Sequence, residues 1–467
     1  MTIIDDDSNL GASFQTMKTW IDRASFPGSL FHVSLIVVLA GCADGSNQAS
    51  APGATTVRDS AGVRIVTSAA PLWGAGAEWT VAPEPSVTTG NDEPMGNGAD
   101  ILFGSIRAMV VLPSGRFAVA DEHSAVVSVF DPDGQFVHRF GGRGEGPGEV
   151  GGIWDLYACA GDTVIVRFRT ELSFFGGDGE FMRRINSSGA GTTWSLEAVA
   201  PDCRNFIASR SAAGPTPPSG QEWLLHSVLV HTDDGFVATD TVAQEVTGEG
   251  FTGSPRGEDV FVALPWTPVD ANVELRGDQL LAGYGRWAEF RIHSLGRGLE
   301  QLIRWHATPD EVTAADHDRY MAKRSEFLAR YEGSPDALFA FPSLREFPRV
   351  PTHKPFFDRF LIDDAGNIWA RHFPSTGLGI QDLRPPRDPA PPATWTVLDS
   401  AGVWLGPVRL PDGFAAHEVA NGCVYGVHTS PLGAQTVRVY RLVRGASTGD
   451  GPPHPSSVRS TCLDAPL

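Results

Sequence analysis

Four residues stand at one repeating position and could do chemistry together. Counting six residues on from the turn glycines Gly115, Gly161, Gly277, Gly366 and Gly422 reaches Asp121, Arg167, Gly283, His372 and His428. A further turn lacks the glycine, and counting from Asn205 instead gives Ser211. One carboxylate with two imidazoles could hold a divalent metal, or could act as acid and base. The alternative is that these are polar strand ends facing water. Other patterns are weaker. No nucleophile elbow and no H-E-x-x-H occurs. The loop Gly141 to Gly148 lacks the Lys-Ser/Thr that ends a phosphate-binding loop, so it reads as a crossing between repeats. Asp316-His317-Asp318 reads as a solvated helix face, because adjacent helical residues point different ways. Asp155, Glu197, Glu274, Asp358 and Glu418 precede their turns by unequal distances, so they are not expected to form a ring.

The elements that would position Asp121, Arg167, His372 and His428 are strands, and the chain repeats them. Val127 to Phe140 (VSVFDPDGQFVHRF) aligns with Leu172 to Ile185 (LSFFGGDGEFMRRI), 45 residues later. Asp-Gly between alternating apolar runs marks a tight hairpin, because its turn needs positive φ. A period of 45 residues carrying four strands is that of propeller blades. Outer hairpins recur around Gly235, Gly296 with Gly298, and Gly402. Inner turns fall at Ser114-Gly115, Gly161-Asp162, Asp202 to Asn205, Gly277-Asp278, Ala365-Gly366 and Asn421-Gly422. The expected fold is therefore all-β, a six-bladed β-propeller of four-stranded blades over residues 57–445.

Six inner hairpins face only five complete outer ones. Thr436 to Leu442 (TVRVYRL) has no following partner, whereas Thr56 to Val63 (TVRDSAGV) copies Thr396 to Val403 (TVLDSAGV) with nothing before it. Pairing Val63 to Thr67 with Thr436 to Leu442 would close the ring through the last blade and remove its open edges. A helix is expected over about 308–331, between blades four and five, opened by Thr308-Pro309-Asp310-Glu311.

The run Leu112 to Asp121, the turn Phe130 to Gly134 and the loop Phe140 to Val150 resemble six-bladed propellers of NHL-repeat type among bacterial exported proteins. The likeness covers nearly the whole mature chain and is weakest in blades three and four.

Export is legible elsewhere too. Leu30 to Gly41 is apolar, too short to span a bilayer, and ends Leu39-Ala40-Gly41-Cys42, which resembles a lipobox. Residues 1–41 are therefore read as a signal, with Met17 as the true start because Asp5 to Asp7 is unusually acidic. Cys42 would be lipidated and 42–56 would be a flexible tether. Residues 446–467 form a tail. In an oxidising compartment Cys159, Cys203, Cys423 and Cys462 should form disulfides. Adjacent inner turns suggest Cys159 to Cys203, which leaves Cys423 to Cys462.

With 36 basic and 55 acidic residues, a net charge of −19 and no basic stripe, nucleic acid is excluded as a partner. The expectation is a lipid-anchored binding or scaffold module at the bacterial cell envelope, touching the membrane through its anchor alone. Its protein or small-molecule ligand would sit at a propeller mouth, at Asp121, Arg167, His372 and His428. No cofactor is assigned. The alternative, implied by similar six-bladed folds, is a metal-dependent lactonase- or lyase-like enzyme.

Overall fold

The computed structural model describes residues 55–74, 76–90, 101–187, 194–212, 217–233, 235–253, 260–268, 272–330, 350–374 and 393–445. The residues read as a signal, Cys42, most of the expected tether and the expected tail with Cys462 lie outside them.

The fold is a six-bladed propeller. Blade one is β5 (Ile106–Val111), β6 (Phe117–Asp121), β7 (Val126–Phe130) and β8 (Phe136–Gly141). Blade two is β9 (Asp155–Cys159), β10 (Thr163–Phe168), β11 (Glu171–Phe175) and β12 (Phe181–Asn186). Blade three is β13 (Ser195–Val199), β14 (Phe206–Ser211), β15 (Glu222–Thr232) and β16 (Ala238–Gly253), with β17 (Val260–Ala263) beside the long end of β16. Blade four is β18 (Asn272–Arg276), β19 (Gln279–Gly283), β20 (Glu289–Ser294) and β21 (Gly298–Trp305). Blade five is β22 (Phe357–Ile362), β23 (Ile368–His372), β24 (Thr394–Leu398) and β25 (Trp404–Arg409). Blade six begins with β26 (Phe414–Ala420), β27 (Cys423–Thr429) and β28 (Gln435–Val443). All six expected inner turns and all five expected outer turns fall between the strands they were read to join.

A sheet must bury its faces against another layer. Here each blade packs on the next, and six apolar clusters fill the spaces between neighbours. Leu112, Phe140 and Phe175 join blades one and two; Phe174, Trp194 and Phe206 join two and three. Ile207, Val273 and Leu280 join three and four, and Phe290, Phe357 and Phe360 join four and five. Trp369, Val408 and Tyr440 join five and six, and Phe117, Phe130 and Tyr425 close six onto one. Cys159 and Cys203 add a disulfide between blades two and three, as their neighbouring inner turns suggest. Cys423 is also disulfide-bonded, and its expected partner Cys462 lies outside the described residues.

Ring closure departs from the sequence reading. β1 (Thr55–Ser60) and β2 (Val63–Ser68) form a hairpin of their own, and β2 pairs in parallel with β21 of blade four, with Val66 opposite Ile303. It does not meet Thr436 to Leu442. An outer-strand sequence can satisfy its backbone on any exposed sheet edge, and the eight-residue β21 offers one. From there the segment runs along the rim. Leu72 and Trp73 donate to Trp404 and Leu405 of blade five, and Trp73 stacks near Trp79, which meets Trp369. The short strands β3 (Thr80–Val81) and β4 (Val87–Thr89) then pair antiparallel with β28. The last blade is thus closed by an N-terminal strand, one that carries no turn signal. Residues 55–89 form a belt over blades four, five and six.

The insertion helix also differs. α1 (Ala314–Arg330) starts later than Thr308. Its capping box is Thr313 with Asp316: the Asp316 amide donates to the Thr313 hydroxyl, and the Thr313 amide donates to Asp316 Oδ2. Asp316 is correspondingly buried, not solvated, and lies 2.9 Å from the buried Lys354 ammonium. Tyr320 packs α1 on Trp266, ahead of blade four.

Candidate functional site: the central channel and its mouth

First strands surround the axis of a propeller, so their side chains line its channel. Contacts join β5 to β9, β13 to β18, β18 to β22, β22 to β26, and β26 back to β5. Four of these strands carry a β-bulge. In blade one the pairing steps from Ile106 to Ala108, leaving Arg107 as the extra residue. In blade three it skips Glu197, in blade five Asp358, and in blade six His417. A bulge adds one unpaired residue and re-aims its side chain. All four extra residues are ionisable. Asp155 and Glu274 occupy the unbulged first strands of blades two and four. Each blade thereby gives the channel wall at least one ionisable group.

These groups sense one another across the channel. Burial raises the Asp155 carboxyl, and Arg167, Arg359 and Arg107 pull it back down. Burial pushes Glu274 up to about 7, against the pull of Arg359. Glu418 is raised by burial to about 8, although its Oε2 accepts the Val111 amide at 2.6 Å. His417 is driven down to about 3 by burial, with Arg359 and Arg371 adding to the effect. Arg359 is lowered to about 10 by burial, with Arg371 pushing the same way and Asp358, Glu274 and Asp155 opposing. Asp155, Glu274, Arg359 and His417 lie deep in the molecule yet keep partial exposure, as the wall of a channel does. Shifts produced by desolvation together with specific partners in a cleft mark candidate functional groups.

Asp121, Arg167, His372 and His428 do share a level. They pair with Ile106, Asp155, Phe357 and Phe414, at or next to the start of each first strand. Asp121, Arg167 and His372 spend polar atoms on the scaffold, and His428 is partnered too. Asp121 accepts the amides of Gly104, Ser105 and His123. Arg167 donates to the Leu196 carbonyl at 3.0 Å, and His372 Nε2 lies 2.8 Å from the Thr396 hydroxyl. Burial lowers the His372 imidazole. Among the described residues no three His, Cys, Asp or Glu side chains are arranged to hold a metal ion. Arg167 reaches the channel cluster, through Asp155 and Tyr157.

The mouth is walled unevenly. The extended ends of β15 and β16, with β17, rise beyond blade three where the first strands begin. Glu249 of this flap ion-pairs with Arg286 of blade four, and α1 stands beside them against Trp266. At the start of blade two the rim carries Trp154, 44% exposed, whose carbonyl accepts Arg107 Nε at 3.2 Å.

No family model matches the chain, and no curated protein matches it in sequence. Solved structures are similar in fold. A Bacteroides fragilis protein thought to be exported is 9% identical, with 81% of this chain and 99% of that one covered and a TM-score of 0.43. A member of the DUF4221 family from Bacteroides vulgatus is 10% identical, covering 79% and 100%, with a TM-score of 0.43. Virginiamycin B lyase from Staphylococcus aureus is 8% identical, covering 72% and 94%, with a TM-score of 0.33.

Proposed function

We propose that this propeller is an exported, lipid-anchored binding module that takes its ligand in the central channel, through the mouth where the first strands begin. The observation that carries it is the convergence of Arg107, Asp155, Glu197, Glu274, Asp358 and His417, one from each blade. Burying ionisable groups costs stability unless they are paired, and a scaffold with no ligand would gain more from an apolar plug. Asp121, Arg167, His372 and His428 form the outer support of that mouth. Export rests on the lipobox-like Leu39 to Cys42 and on the Cys159–Cys203 disulfide, which suits an oxidising compartment. The NHL-like turn motifs suit a propeller of that exported type. A metal-dependent enzyme would need a ligand cluster that the described residues do not supply.

A thermal-shift screen of small metabolites against the full chain tests the channel. Stabilising compounds should lose their effect in Arg107→Gln and His417→Gln proteins. Hits that persist in both, or a screen without hits, would sink the reading. Fatty-acid labelling tests the anchor: a Cys42→Ala protein that still takes up label would refute it.

A further inference from the structure

Arg359 is the outstanding group in the channel. It lies on β22 directly opposite Arg371 of β23, and the Asp358 carboxylate is committed to Arg371 through two bonds of 2.7 Å. Among the described residues the Arg359 guanidinium has no hydrogen-bond or ion-pair partner. Asp358 beside it, Glu274 from blade four and Asp155 from blade two are within electrostatic reach but do not close on it. His417, the bulged residue of blade six, stands within electrostatic reach of the same guanidinium. A guanidinium is planar and presents parallel N–H donors that match the two oxygens of a carboxylate. Held deep in a channel without such a partner, it is an anion site left open.

Resting on the channel as ligand site, we propose that the channel binds a small organic carboxylate, whose two oxygens take the Arg359 guanidinium. The surroundings narrow the class. A cation would be repelled by Arg359, with Arg371 close behind it. A dianion such as phosphate would meet the Asp155 carboxylate, so a single negative charge fits best. Glu274, raised to about 7 by burial, is largely protonated in mildly acid solution and can donate a hydrogen bond to a second ligand oxygen. His417 stays neutral there and can donate or accept. Trp154 on the rim offers an exposed ring to the rest of the ligand.

Calorimetric titration of the full chain with matched pairs tests this: benzoate against benzamide, and glucuronate against glucose. At least one carboxylate should bind at least tenfold more tightly than its neutral partner near pH 6. That preference should vanish in Arg359→Gln. Arg359→Lys, which keeps the charge and guards against misfolding, should weaken it at least threefold through loss of the fork. Equal affinity within both pairs, no binding by either carboxylate, or a preference that survives Arg359→Gln overturns the assignment. If neutral partners bind and lose affinity in Asp155→Asn, the channel remains the ligand site and only the carboxylate assignment falls.

Discussion

Arg359 and Arg371 stand opposite one another on the first two strands of blade five, yet among the described residues only Arg371 of the two is ion-paired, held through Nε and Nη2 by Asp358. Side by side, two guanidinium groups repel, and Asp358 bonds one of them while acting on the other only through space. Arg371→Gln should therefore have two effects. Losing two charge-assisted bonds should cost roughly 2–3 kcal/mol of stability in urea unfolding. Asp358 would then be available to Arg359, so binding of any anionic ligand should weaken. Unchanged affinity in that variant would show that Arg359 is not the group that meets the ligand.

The channel carboxylates set a pH dependence. Glu274 and Glu418 hold their protons in the folded state to about 7 and about 8, against 4.5 as the ordinary value. Their contribution to stability is full below about pH 4.5 and is lost as pH rises toward 8. His417 works the other way: its buried neutral ring contributes above pH 6.5 and loses that contribution as pH falls toward about 3. Glu418→Gln should accordingly gain on the parent protein between pH 5 and pH 8, by roughly 1–2 kcal/mol once solvent screening in the channel is allowed for. Parallel stability curves for the two proteins would contradict the burial of Glu418.

Much of the ring was legible because turns obey strict local chemistry. Asp133-Gly134 and Asp178-Gly179 announce hairpins, and the glycine count placed Asp121, Arg167, His372 and His428 at one depth. The channel cluster was not legible. Bulges at Arg107, Glu197, Asp358 and His417 each insert a residue, so distance from the turn no longer reports which side chain lines the axis. Asp155 and Glu274 were set aside for that reason. Closure failed differently. TVRDSAGV matches an outer-strand entry, but it turns back on itself as a hairpin, and sequence does not say which exposed edge that hairpin will find, nor whether it pairs in parallel. The real closing strand, Val87–Thr89, is three residues long and has no pattern to detect.

That closing strand makes a sharp test of the belt. Gly134 has φ of 81°, and a Cβ there would lie 2.4 Å from Val87 Cγ1. Gly134→Ala should destabilise the domain by roughly 1–3 kcal/mol, through the strained turn and displacement of the last blade's fourth strand. Gly115, also at positive φ, has only Pro132 nearby at 3.6 Å, so Gly115→Ala should carry the turn strain alone. Equal losses in urea unfolding would mean that Val87 does not pack there.

The disulfide between blades two and three spans 44 residues. Its loss in Cys203→Ser should cost about 4 kcal/mol on chain-entropy grounds. Cys159→Ser should match it, and the double variant should lose no more than either single one. Clearly additive losses would show that the two cysteines do not act as a pair.

Asp316 and Lys354 are an ion pair buried on both sides, tying α1 to the segment that leads into blade five. Asp316 keeps Arg319 and Thr313 as partners, so Lys354→Met should cost roughly 1–3 kcal/mol for the lost charge-assisted bond. Hydrogen exchange should speed up over α1 first. Uniform acceleration across the six blades would instead make the pair part of the global core.

The most direct test of the channel as ligand site is a crystal structure of the full chain grown with benzoate or glucuronate. The expected result is ligand density between β9, β18, β22 and β26, with its carboxylate on the Arg359 guanidinium and the Asp358–Arg371 pair intact. A channel holding only water, with Arg359 closed onto Asp155 or Glu274, would contradict it.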